Sequence, residues 1–78
     1  MSNVRTILRK ILIEILELDK NNLPELIDVN NSENWDSLGH FQIIERVERE
    51  FNIEIEDNKI VELLGEKEIL DFVIEKLS

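Results

Sequence analysis

From Val4 to Leu18 the apolar residues return every three or four positions: Val4, Ile7, Leu8, Ile11, Ile15 and Leu18. An α-helix completes a turn in about 3.6 residues, so this spacing is one buried face of a helix. The helix is expected from about Ser2 to Leu18, with Ser2 or Asn3 capping its start. Arg5, Arg9, Lys10 and Glu14 interrupt the apolar run. The segment therefore reads as an amphipathic helix rather than a signal peptide or a membrane span. A cytoplasmic location and no membrane insertion are expected.

The next stretch, Asp19 to Trp35, breaks the rhythm. It holds the only proline, Pro24, together with Asn21, Asn22, Asn30 and Asn31. Asn, Asp and Pro favour turns, so a long loop is expected, pinned by Leu23, Leu26, Ile27 and Val29. Helical spacing resumes at Asp36 or Ser37 and runs to about Phe51. Ile43, Ile44, Val47 and Phe51 fall on one side, and Leu38, Gln42, Glu45, Arg46 and Arg49 fall opposite, with Phe41 at the boundary. Glu45 to Arg49 and Arg46 to Glu50 are opposite charges four apart. Ile53 and Ile55 alternate with acids, which suggests an extended connector with both isoleucines turned inward. Asp57 is expected to cap a short third helix reaching Leu64, burying Ile60, Val61 and Leu64. Gly65 reads as its stop, through the left-handed conformation glycine tolerates. A closing helix is expected from about Glu66 to Leu77, with Ile69, Leu70, Val73 and Leu77 on its stripe. The expectation is an all-α bundle of four helices, the third short, with a long loop between the first two.

Residues 1–78 leave room for one domain, and a chain this small buries only roughly 60% of its unfolded surface. There is no cysteine, so no disulfide, thiolate nucleophile or zinc thiolate is available. Net charge is −9. Such a chain repels phosphate backbones and anionic lipid, which argues against nucleic-acid binding and favours proteins with basic patches as partners.

Catalytic readings find little to use. His40 is the only histidine, three residues from Ser37, and the Gly-x-Ser-x-Gly elbow is absent. Near the core side of the second helix, it reads as a partly buried structural histidine. Gly39 and Gly65 form no phosphate-cradling loop. Asp28, Asn30, Ser32, Asn34 and Asp36 have the alternating oxygen ligands of a calcium loop. However, Glu33 stands where the sharp turn needs glycine, and Gly39 where a bidentate glutamate is needed. No metal site is expected, and the chain does not read as an enzyme.

What remains is Asn34-Trp35-Asp36-Ser37-Leu38-Gly39-His40-Phe41. It is a loop that delivers a serine to the start of an amphipathic helix. Asp and Ser are good helix caps, and that alone would explain them. Trp35 fits a hydrophobic staple against the fourth helical residue. A serine here also exposes its hydroxyl beside the free N–H groups and positive end of a helix, where a phosphodiester is favoured.

Asp36-Ser37-Leu38 at the start of the second helix resembles the signature of the acyl carrier protein family. Ile43, Ile44, Val47, Glu48, Glu50 and Phe51 are similar to that family's second helix. Ile53, Ile55, Glu56 and Asp57 are similar to its Ile-x-Ile connector, and the resemblance spans the whole chain. It implies 4'-phosphopantetheine carried covalently on Ser37, flanked by Asp36 and Leu38, with the arm's thiol holding acyl groups as thioesters. It implies a phosphopantetheinyl transferase, acyl-loading enzymes and acyl-transferring enzymes as partners, and a monomeric carrier with no catalysis of its own. It also implies a sheltered acyl chain, for which Ile7, Ile11, Ile44, Val47, Ile60 and Val73 are the expected lining.

Fatty-acid-synthase carriers commonly have acids where this chain has Gly39 and Gln42, and Arg46 and Arg49 add positive charge. A specialised stand-alone carrier in a dedicated biosynthetic pathway is therefore expected, read by its partners through Phe41, Gln42, Glu45 and Arg46. It does not resemble peptidyl carrier domains, which usually have glycines just before the serine motif. The alternative is an unmodified helical protein-interaction domain, in which Ser37 is only a helix cap.

Overall fold

The computed structural model describes residues 3–78 and contains four helices among them. They are α1 (Val4–Leu16), α2 (Ser37–Phe51), α3 (Asp57–Ile60) and α4 (Glu66–Leu77). The architecture is the expected all-α one, with a long loop between α1 and α2. No described helix is long and apolar enough to cross a membrane. α1 packs against both α2 and α4. Val4, Leu8, Ile11, Leu12 and Leu16 are its buried residues. Ile7, Ile15 and Leu18, also expected on the stripe, lie at the core's edge. Facing them are Ile43, Ile44 and Val47 of α2 and Ile69 and Val73 of α4, all buried. Each fully buried leucine or isoleucine contributes roughly 1.5–3 kcal/mol, so this small set is the main source of stability.

The ends of the two long helices are set by local chemistry. Asn3 is the N-cap of α1 without a side-chain cap bond, and Ser2 lies outside the described residues. α1 ends at Glu17, whose left-handed backbone (φ 54°, ψ 49°) turns the Leu18 N–H onto the Ile13 carbonyl at 3.0 Å. The Asn34 side chain then donates to the Leu16 carbonyl at 2.8 Å, satisfying an orphan acceptor of the last turn. α2 ends the same way at Asn52 (φ 55°), a residue type that tolerates this conformation. The connector is extended as expected. Ile55 is buried, Ile53 partly so, and the Ile55 N–H donates to Glu48 Oε2 at 2.8 Å.

The long loop is fastened at its middle. Ile27 is fully buried, and Val29 packs at the core's edge. Leu26 stays exposed, so it pins less than expected. Asp28 and Gly65 form an isolated antiparallel bridge. Around it the Val29 N–H donates to Leu64 O (3.2 Å) and the Glu66 N–H to Ile27 O (2.7 Å). Below lies an ion pair that sequence periodicity does not announce. Glu66 is fully buried, and its Oε1 accepts from the Ile27 N–H and from Arg9 Nη2, each at 3.1 Å. Arg9 Nε lies 3.0 Å from Oε2, at an angle that makes this a charge contact rather than a hydrogen bond. Arg9 Nη2 also donates to the carbonyls of Pro24 (2.7 Å) and Glu25 (3.0 Å). One guanidinium thus ties α1, the loop and α4 together.

Three expectations need correction. The third helix ends at Ile60, not Leu64, and Glu56 rather than Asp57 is its N-cap. Leu63 is the buried residue of this region, whereas Val61 and Leu64 are exposed and Ile60 is partly buried. Ending the helix four residues early changes which side chains face inward. Gly65 is not left-handed; it is extended (φ −164°, ψ 164°) and serves as the N-cap of α4. Its reason is proximity: a Cβ there would lie 2.5 Å from Glu68 Oε1 and 3.2 Å from the Asp28 Cβ. Leu77 is exposed rather than part of the α4 core stripe.

Candidate functional site at the start of the second helix

The N-cap of α2 is Asp36, not Ser37. Its extended backbone precedes the first turn, and its Oδ1 accepts from the Gly39 N–H at 2.8 Å. Its backbone carbonyl accepts from the His40 N–H at 2.7 Å. Ser37 is therefore the first helical residue, and it is exposed. Its hydroxyl makes no hydrogen bond among the described residues, and neither do the backbone N–H groups of Ser37 and Leu38. The site thus combines an unengaged hydroxyl, two open donors and the positive end of a 15-residue helix.

Gly39 closes the site from beneath. It is buried, and a Cβ on it would sit 2.6 Å from the Asn34 carbonyl oxygen and 3.3 Å from Asp36 Oδ1. The loop that carries Asp36 therefore crosses directly over this turn. No side chain, acidic or otherwise, fits at this position without moving backbone.

Trp35 and His40 form the side wall. They are the residues just before the cap and at the fourth helical position, the two ends of the expected staple. Their rings stack with centroids 6.2 Å apart at 30°. Trp35 Nε1 donates to His40 Nδ1 at 3.0 Å, and His40 Nε2 meets the Ile60 carbonyl at 2.8 Å. His40 is partly buried and structural, as its position in the sequence suggests. Beside Ser37 runs an open groove of about 220 Å³, bounded by Val29, Trp35, Asp36, His40 and Leu64. The residues expected to line an acyl shelter lie elsewhere. Ile11, Ile44, Val47 and Val73 are buried in the packed core, with Ile7 and Ile60 at its edge.

Around Ser37 the surface is apolar. Leu38 is 68% exposed and Phe41 63%. Leu64, which borders the groove, is exposed too, as is Val61 just past α3; the expected phase of that helix hid both. Gln42 and Glu45 are exposed on α2. Arg46 is committed elsewhere: its Nη1 lies 2.9 Å from Glu14 Oε1, and Glu50 is 3.9 Å from its Nε. It pairs α2 with α1, which leaves Phe41, Gln42 and Glu45 as the freely presented members of the expected partner-reading set. The calcium-like rhythm in the loop has local uses. Asp28 Oδ1 accepts from the N–H groups of Asn30 and Asn31, and Asn31 Oδ1 accepts from the Asp28 N–H and the Ser32 hydroxyl. No family model matches this chain, and no curated protein matches it.

Proposed function

We propose that this chain is an acyl carrier whose Ser37 bears 4'-phosphopantetheine. The observation that carries the reading is the division of labour at the start of α2. Asp36 performs the capping, so the exposed Ser37 hydroxyl is left without a structural task. That weakens the rival account of an unmodified interaction domain, in which Ser37 is the cap. The residues present fit the group. The hydroxyl is accessible, the open N–H groups of Ser37 and Leu38 favour a phosphodiester, and the groove leaves room beside it.

In the attachment step the Ser37 Oγ forms a bond to phosphorus while the pyrophosphate bond of coenzyme A breaks. Adenosine bisphosphate leaves, and a base on the transferase takes the hydroxyl proton. When attached, the arm supplies the thiol that holds an acyl group as a thioester, a group this cysteine-free chain lacks. The chain's own residues position and present. Asp36 and Gly39 fix the turn, the donors of Ser37 and Leu38 face the phosphodiester, and Leu38, Phe41, Val61 and Leu64 offer apolar contact to loading and transferring enzymes. Because Gly39 and Gln42 leave the first turns of α2 free of acids and Arg46 is internally paired, a dedicated cytoplasmic pathway fits better than a partner that docks on an acidic second helix. Incubation with a fluorescent coenzyme A analogue and a broad-specificity phosphopantetheinyl transferase should label the parent chain and leave Ser37→Ala dark. Equal labelling of both would end the assignment.

A further inference from the structure

We infer that His40 is a proton-sensitive clasp on the groove beside Ser37. An indole N–H can only donate, so the 3.0 Å bond from Trp35 requires a lone pair on His40 Nδ1. The ring is then neutral with its proton on Nε2, which donates to the Ile60 carbonyl at 2.8 Å. Both bonds demand the same tautomer. Together they tie the loop before α2, the first turn of α2 and the end of α3. Trp35 and His40 bound the groove that reaches Ser37, and Leu64 lies across it, four residues beyond Ile60.

Protonation at Nδ1 turns the acceptor into a donor, and two N–H groups then face each other. The Nε2 bond to Ile60 survives; the Trp35 bond does not. Trp35, only 6% exposed, must turn out of its seat, and the wall of the groove moves with it. Charged groups lie on every element around the ring. They are Asp28, Glu33 and Asp36 on the loop, Glu45 on α2, Asp57 and Lys59 on α3, and Glu62 beyond it. Among the described residues none makes a hydrogen bond or ion pair with the imidazole, and Lys59 is paired with Glu62. The clasp is closed while Nδ1 keeps its lone pair, and it opens when that nitrogen takes a proton.

Its meaning at Ser37 rests on the carrier reading, but its chemistry is tested on the unmodified chain. NMR spectra would be followed between roughly pH 8 and pH 5, the range in which histidines titrate. In the parent, the Trp35 indole N–H and the Ser37 and Leu64 amides should move with the midpoint of the His40 ring. Indole proton exchange should speed up roughly two- to tenfold across it, the value of one net hydrogen bond. In Trp35→Phe, which keeps a stacked ring but loses the donor, the Ser37 and Leu64 amides should no longer move when the His40 ring is protonated. In His40→Gln the shared midpoint should vanish. The clasp is refuted by an indole that stays still while the ring is protonated, by Ser37 and Leu64 amides that still follow the ring in Trp35→Phe, or by the same midpoint in His40→Gln. A chain that accepts no phosphopantetheine yet titrates this way would sink the carrier reading and keep the clasp.

Discussion

Gly39→Ala should destabilise the fold, although the same change in an open helix stabilises it by roughly 0.5–1 kcal/mol. The reason is the loop lying over the first turn of α2. The new methyl would stand 2.6 Å from the Asn34 carbonyl oxygen, inside the 3.0 Å that real Cβ atoms essentially never cross. The obstacle is backbone, so a rotamer change cannot relieve it. The stretch from Asn34 to Asp36 must lift. Lifting it strains three contacts: the Asp36 cap on the Gly39 N–H, the Asn34 side chain on the Leu16 carbonyl, and the Trp35 bond to His40. Loss of a cap costs about 0.5–2 kcal/mol and each further hydrogen bond about 0.5–1.5 kcal/mol net. Partial loss of all three, offset by the better helix propensity of alanine, leaves about 1–3 kcal/mol of net destabilisation. Urea denaturation followed by the fluorescence of Trp35 would measure it. A variant as stable as the parent, or more stable, would refute the steric account of this turn.

Other perturbations follow from the same geometry. Asp36→Ala should cost about 0.5–2 kcal/mol, whereas Ser37→Ala should stay within about 0.5 kcal/mol of the parent; the reverse order in denaturant would restore Ser37 as the cap. Arg9→Met leaves the fully buried Glu66 carboxylate unpaired and should cost about 3 kcal/mol, read as a large fall in denaturation midpoint. Glu17→Gly should raise stability by about 1 kcal/mol, because Glu17 holds a left-handed backbone that glycine adopts without strain. Thermal melts of the two proteins would show it as a higher melting temperature.

The parts of this fold that could be read in advance are those with local causes. α2 begins at Ser37 and ends at Phe51 because a capping Asp precedes it and Asn52, tolerant of a left-handed turn, follows it. The inward isoleucines of the connector were legible from their alternation. Features that depend on distant partners were not. A glutamate at the head of α4 looks like an ordinary solvated acid, and its partner Arg9 is 57 positions away. Nothing in the spacing of either residue announces a buried pair. The glycines were similarly opaque: Gly65 suggested a left-handed stop and Gly39 a missing acid, whereas Gly39 answers to the Asn34 backbone carbonyl and Gly65 to the side chains of Glu68 and Asp28. At the site, Asp36, Ser37 and Leu38 stand where their order along the chain puts them. The exposed Leu64 bordering the groove was hidden by a helix expected to run four residues too far.

The central claim is that Ser37 is an attachment point rather than a cap. Its most direct test is the intact mass of the purified, folded chain after incubation with coenzyme A and a phosphopantetheinyl transferase, followed by fragmentation to locate the change. The account predicts a gain of one phosphopantetheine on the peptide containing Ser37, and none on Ser37→Ala. An unchanged mass with several transferases, on a chain whose fold has been verified, would contradict it.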